Sequence, residues 1–408
     1  MASARGRLGA AWGRLGAARS WLGELSGGLG DAGLFIPIAV AMITLNGLNA
    51  TAVFLVTGLV YIATALYFRV PIPVQPLKAF GAAAIALGLE AETIAAGALL
   101  MAVAMALLTI WDLADRLAAR FPIVLVRGIQ ASVALLLAKA AVDLASQGNW
   151  PGLPQMSATA GLALAAFTCL LLFASRAVAL PGSLAVLAIG AGIGLAVGGM
   201  PDIQTGPQAV SLSIPDIDTF GIALTSLVLA QLPLTFGNSI VATTDAERAY
   251  FGARARRVKP ARLAASIGIS NAVAGVSGAM PVCHGAGGVT AHYKLGARTP
   301  LATISAGALF VGLALGVGAS LPTLLQVLVP GALAGMLAYV AIQHGVLAGS
   351  LKRLDERLIA VSIGLTTLAT GNLAIGFGLG VALVGGRALR RRRRLENATS
   401  NATRGRLY

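Results

Sequence analysis

Hydrophobic phrasing constrains this chain more than any other feature. Apolar runs of 10 to 23 residues succeed one another from residue 32 to residue 386, set apart by charges, Pro and Gly. In lipid the backbone must satisfy its own N–H and C=O groups, so such runs read as helices. Each needs about 20 residues to span, and fewer where helices are broken. Fourteen candidates result. The first seven are about 32–48, 50–67, 74–88, 91–111, 122–141, 157–174 and 180–199. The second seven are about 219–241, 263–278, 284–293, 300–319, 323–343, 358–370 and 372–386. With 57% hydrophobic and only 11% charged residues, a chain this long has no means of covering itself with polar surface in water. Soluble, disordered and fibrous classes are excluded, and an all-α polytopic membrane protein remains.

Charge placement orients the segments. Thirty Lys and Arg against fifteen Asp and Glu give +15, which in a soluble protein would suggest nucleic acid. With Arg5, Arg7, Arg14 and Arg19 in the cytoplasm, the inside loops carry Arg69, Arg116, Arg120, Arg176, Arg248 through Arg262, Lys294, Arg298, Lys352, Arg353 and Arg357. The tail adds Arg387, Arg390 to Arg394, Arg404 and Arg406, while the outside loops hold no Lys or Arg. Glu90, Glu92, Asp143, Asp202, Asp216 and Asp218 lie at or near those outside loops. An excess of cytoplasmic Lys and Arg is the topology rule of membrane proteins, and a miscount of one segment would scramble it. Both termini are therefore expected inside a plasma membrane, the bacterial inner membrane. The Arg390–Arg394 block reads as an orientation and lipid-headgroup signal, not a nucleic-acid site. Residues 1–29 read either as an amphipathic segment on an anionic membrane face or as a transit-like leader.

Several chemistries drop out. Three His and two Cys make no metal-ligand cluster, no phosphate loop is present, and no acidic pair or nucleophile–base set suggests an enzyme. No cofactor is expected. Lys139 and Asp143, spaced i, i+4, are expected to pair, and Asp31 to cap the first segment.

Weak internal symmetry marks many transporters. Pro37 and then Pro73 in the first half find counterparts in Pro233 and Pro281, with spacings of 36 and 48 residues. Seven segments per half is odd, so the halves must be inverted. Each half has a Pro-Val pair opening its third segment. Val74–Gln75 and Val282–Cys283 read as extended entries to half-helices (segments three and ten) whose N-termini face each other near the midplane. Two positive dipole ends and free N–H groups converging there favour an anion. Lys78 falls in the first turn of one half-helix, where a bound oxyanion would offset both burial and the dipole; pairing with a carboxylate or snorkelling is the other reading. Gly285, Gly287 and Gly288 would admit a ligand close to the backbone, or serve helix packing. Gln75, Gln231, Thr235, Asn238 and His284 are the other polar groups near the breaks. Gln231 and Asn238 can equally bond between helices, and His284 can be a donor, a proton carrier or a structural residue.

Pro73-Val-Gln-Pro-Leu-Lys78 and Gly278-Ala-Met-Pro-Val-Cys-His-Gly-Ala-Gly-Gly288, followed by His292-Tyr293 and Gly296-Ala-Arg298, resemble the two motifs of the molybdate transporter family, a branch of the sulfate permease superfamily. The opening Gly30-Asp31-Ala-Gly-Leu-Phe-Ile-Pro37 is also similar. The resemblance spans about residues 30 to 386. It implies a 7+7 inverted-repeat transporter. The first repeat would be 30–218, with core 30–112 and gate 121–200. The second would be 219–386, with core 219–320 and gate 321–386, and 387–408 would form an Arg-rich cytoplasmic tail. It implies uptake of molybdate, with tungstate as an additional substrate, and a homodimer formed through the gate. The substrate-binding set is then Gln75, Pro76, Lys78, Gln231, Thr235, Asn238, Cys283, His284, Gly285 and Gly287. A coupling proton is expected for uptake of an anion against a negative-inside potential, although no buried carboxylate stands out in the sequence as its carrier. The rivals are sulfate or another small anion on the same fold, a nucleobase carrier, and an anion channel. Asp245 and Glu247, read at the cytoplasmic end, argue against a nucleobase site.

Overall fold

The structure is a computed structural model that describes residues 21, 23–29, 32–110, 122–146, 157–177, 182–326 and 330–404, and counts below are of those residues. Asp31, the Arg116–Arg120 loop and residues 1–20 lie outside them. Among the described residues, fourteen main helices take the fourteen expected places, besides shorter helical pieces. They are α1 (Ala32–Asn46), α2 (Ala50–Phe68), α3 (Lys78–Leu87), α4 (Ala91–Ile110), α5 (Ile123–Ser146), α6 (Ala158–Ala177) and α7 (Gly182–Gly198). After them come α8 (residues 217–251), α9 (Pro260–Ser277), α10 (Ala286–Lys294), α11 (Leu301–Val317), α12 (Pro330–Ala348), α13 (Leu354–Thr370) and α14 (Leu373–Arg404). Seven helical stretches are long and apolar enough to cross a membrane. The chain is an integral, multi-pass membrane protein.

Packing repeats under exchange of each helix with the one seven places on. α2 lies along α11, and its counterpart α9 lies along α4. α5 packs on α12, which is its own counterpart. The contact of α5 with α13 is matched by that of α12 with α6, and α1 against α7 by α8 against α14. Helix ends follow the same symmetry. α2 stops at Arg69 and α9 at Gly278, both in the left-handed region, which turns the chain out of the helix. Arg69 has φ 60°, uncommon for a residue with a Cβ. A Pro-containing stretch then leads to a two-residue strand: β1 (Gln75–Pro76) in the first half and β2 (Val282–Cys283) in the second.

Small residues set the closest crossings. A Cβ on Gly307 of α11 would lie 2.6 Å from the Gly58 carbonyl of α2, and one on Gly58 would lie 2.7 Å from that of Gly307. The two backbones therefore touch, as small-residue interfaces in membranes allow.

The molecule has two chemically different ends. At one, the Arg254 and Arg257 guanidinium groups donate to the carbonyls of Arg298 and Tyr67, and the buried Glu24 carboxylate accepts from the backbone N–H groups of Arg298 and Thr299. At the other, the 204–216 segment is stitched to the starts and ends of spans: Asn49 donates to the Ala209 carbonyl, and the Asp216 N–H donates to Glu92. On a further basic loop, Arg353 beside Asp355 holds that exposed carboxyl below its usual range, and Arg387 joins Asp355 and Glu356. Lys139 and Asp143 form the expected pair at 2.5 Å, both half-exposed.

Three segments differ from the sequence reading. Segment twelve is a short helix, Leu321–Gln326, and α12, which runs to Ala348 rather than ending near 343. α14 does not stop at 386 but continues unbroken to Arg404, because the Ala- and Arg-rich run that follows is itself a good helix former. α8 is not a plain helix. π turns at Leu224–Val228 and Thr235–Ala242 flank its Leu229–Leu234 stretch, which contains Pro233. A proline within a helix removes an N–H and crowds the preceding turn, a common cause of such irregularity.

Candidate functional site

β1 and β2 pair antiparallel, Gln75 opposite Cys283 and Pro76 opposite Val282. The chain leaves them in opposite directions, into α3 and α10, so the two helices start side by side and diverge. The first turn of a helix has N–H groups without acceptors in that helix. Neither start carries a side-chain cap, Leu77 and Gly285 being the cap residues. Instead the Leu77 N–H donates to the Pro281 carbonyl across the strands, and the Phe80 N–H donates to Gln231 Oε1 at 3.0 Å.

Lys78 is the first residue of α3 and is buried, 9% exposed. Its ammonium reaches across to the other helix start. A Cβ on Gly285 would lie 3.2 Å from Lys78 Nζ and 2.1 Å from Gln75 Oε1. A Cβ on Gly288 would lie 2.4 Å from Gln75 Nε2, whereas one on Gly287 would meet nothing within 4 Å. Glycine at 285 and 288 is thus what lets the Gln75 amide lie flat against the start of α10. Gln75 is buried and its Oε1 has no hydrogen-bond partner. Rotating the amide by half a turn would put donors in the same place. One cation and two positive helix ends share one small volume, an arrangement that suits an anion.

α8 supplies the flank. Gln231 is buried; its Oε1 holds the α3 start and its Nε2 donates to Thr235 Oγ1 at 2.8 Å. Asn238 is only partly buried, and its backbone carbonyl accepts from the Thr243 hydroxyl. Cys283 Sγ lies 3.7 Å from the Pro76 carbonyl, beside the Ser239 hydroxyl. His284 is brought to the same place but its ring is occupied. Nδ1 bonds the Pro73 carbonyl and Nε2 the Ser266 hydroxyl, both at 2.9 Å. A carbonyl only accepts, so Nδ1 carries the proton and Nε2 accepts from Ser266. The ring braces the break in place, and no nitrogen is left over for a ligand.

Further residues hold the breaks that the sequence reading missed. Asn271 of α9, fully buried, donates through Nδ2 to the Val282 carbonyl and accepts at Oδ1 from the Val282 N–H. It therefore caps both polar groups of one β2 residue. Thr243 donates to the His284 carbonyl at 3.0 Å, and Asn46 donates to the carbonyls of Ala84 and Leu89, closing the far end of α3. A lone Asn inside an apolar run was the available signal.

A family profile described as "Molybdate transporter of MFS superfamily" matches residues 23–137 and 223–344, more than half of the chain. Molybdate transporter 2 of Arabidopsis thaliana is 27% identical, covering 88% of this chain and 85% of that protein. Molybdate transporter 1 of Chlamydomonas reinhardtii is 28% identical, covering 87% and 89%. Among solved structures, the transmembrane domain of the cyanobacterial bicarbonate transporter BicA superposes with a TM-score of 0.65 at 16% identity, covering 89% of this chain and 98% of that one. The structure of SLC26A9 superposes at 0.62 and 15% identity, covering 89% and 65%. The fold, seven helices plus seven with a strand pair between the halves, is the one these solved structures share. These relatives are transporters, not enzymes. By the profile match over more than half of its length, the chain belongs to the molybdate transporter family.

Proposed function

We propose that this chain is a secondary active transporter that imports molybdate, with tungstate as a further substrate. The anion binds where α3 and α10 begin. Gln75, Pro76, Lys78, Gly285 and Gly287 face it, with the N–H groups of both helix starts. Gln231, Thr235 and Asn238 line it from α8, while Cys283 and His284 contribute backbone and bracing. The observation that carries this reading is the Lys78 ammonium lying against Gly285, a buried cation at two positive helix ends. An anion bound there is attracted by the ammonium and by both helix dipoles at once.

Access alternates as the core (30–112 and 219–320) moves against the gate (121–200 and 321–386), with both termini in the cytoplasm and the gate forming a homodimer. Two packing relations support that division: α5 runs along α12 within the gate, and α3 abuts α5 across the boundary. An anion at the start of α3 therefore lies where the two bodies would slide. Molybdate and sulfate share charge and shape, so selectivity is decided by experiment. In cells lacking their own molybdate system, the chain should confer saturable molybdate uptake. Tungstate should compete well, sulfate poorly and uracil not at all. Normal membrane expression without molybdate uptake would overturn the reading, and uptake that does not saturate would indicate a channel.

A further inference from the structure

Glu247 has no part in the site above. It lies in the last turns of α8, 0% exposed, and neither carboxylate oxygen has a hydrogen-bond partner. The sequence, with Asp245 and Arg248 as neighbours, reads this position as part of a solvated end; the fold buries it. A carboxylate buried without a hydrogen-bond partner from the protein is among the least favourable groups to bury in ionised form, and inside membrane proteins such groups are kept for function.

Helix spacing fixes what it faces. One turn earlier, Thr243 bonds the His284 carbonyl in the break before α10. One turn later, Phe251 packs with Phe68, Ile72 and Val289. Tyr250 bonds Thr290 of α10. Glu247 thus lies between the start of α10 and the basic end of the molecule, on the side of α8 turned to α10.

The elements packed on it bring these titratable or charged groups. α10 carries His292, Tyr293 and Lys294; the former is buried against Tyr61, and Lys294 is exposed. Tyr293 stacks on Tyr250. From the 252–257 turn, Arg254 and Arg257 bond backbone carbonyls and Arg256 is exposed. Cys283 and His284 are engaged as described, and Asp245 and Arg248 of α8 point to the surface. The π turn before Thr243 brings none. Among the described residues, none forms an ion pair with Glu247.

We propose that Glu247 is the proton-carrying site of this transporter, its carboxyl taking one proton from the side where the anion enters and releasing it to water at the basic end. The proposal rests on the oxyanion reading. A dianion at the start of α10 and a carboxylate behind it are like charges in a poorly screened interior, so anion binding favours the neutral carboxyl, and by linkage protonation favours the anion. After the anion leaves, the carboxyl ionises again and the proton goes to solvent. No other chemistry is required.

The test uses the full chain in proteoliposomes, with membrane potential clamped, labelled molybdate as probe and a pH dye in the lumen. In the wild type, acid outside should drive molybdate accumulation, and the lumen should acidify as molybdate enters. Glu247→Gln should retain molybdate–molybdate exchange, lose the acidification and accumulate at least about tenfold less under the gradient. A Gln variant that still accumulates and acidifies would overturn the proposal. If that variant does not fold, Glu247→Asp decides: a shifted pH midpoint of uptake supports the role, and an unshifted one overturns it. Wild-type molybdate entry without acidification would overturn the proton role while leaving the oxyanion reading standing. Absence of any wild-type exchange would overturn both.

Discussion

Lys78 occupies the first residue of α3, where a cation raises the energy of the helix dipole unless an anion joins it. Replacing it by Ala should weaken molybdate binding about ten- to a hundredfold, the range for a charge-assisted hydrogen bond lost from a buried site. Gly285→Ala should act in the same direction through geometry, because the added Cβ falls 2.1 Å from Gln75 Oε1 and displaces that amide. Calorimetric titration of the purified protein measures both, with thermal melting as the check that the fold survives. Unchanged affinity in either variant would remove that residue from the site. Gln75, Lys78 and Gly285 were legible in the sequence because each is an anomaly, a polar, charged or conformationally free residue beside a proline in an apolar run. Asn271, Ser266 and Thr243 were not, since small polar residues are common at helix contacts in membranes and their partners depend on the fold. His284 was legible as a polar group near the break, but not that both its ring nitrogens are taken. Glu247 was hidden for a different reason: sequence shows which residues are near a loop, not which of them turns inward.

At the level of elements, hydropathy located the spans because lipid leaves a helix no alternative. It did not reveal the π turns of α8, since hydropathy reports length and not the register of the hydrogen-bond ladder. Those turns re-aim the helix on either side of Gln231, the residue that holds the start of α3. The crossing of α2 with α11 depends on a backbone approach that only glycine permits at Gly58 and Gly307. Gly307→Val should therefore lower stability by at least about 1–3 kcal/mol, the usual penalty of overpacking a tight interface. Thermal denaturation in detergent reads this directly, and an unchanged melting temperature would contradict the crossing.

Over the whole molecule, two properties organise the chain: the exchange of each helix with the one seven places on, and, among the described residues, the meeting of the basic 252–257 turn with the Arg298 loop at one end. The first was visible in the sequence only as paired prolines, because inverted repeats share packing more than residues. The second is an expectation of the charge count, and among the described residues Arg254 and Arg298 meet at one end as it requires. If the basic end is cytoplasmic, an impermeant maleimide applied to intact cells should label Asp202→Cys but not Lys259→Cys, and lysis should expose the latter. Both native cysteines, Cys169 and Cys283, are buried, so background should be low. Labelling of Lys259→Cys in intact cells would reverse the orientation. The central claim, an oxyanion held between the starts of α3 and α10, is tested most directly by an anomalous difference map at the molybdenum edge for the protein crystallised with molybdate. The account predicts one strong peak within contact distance of Lys78 Nζ and the backbone of Gly285 to Gly287. A strong peak elsewhere in the molecule, with that position empty, would contradict it.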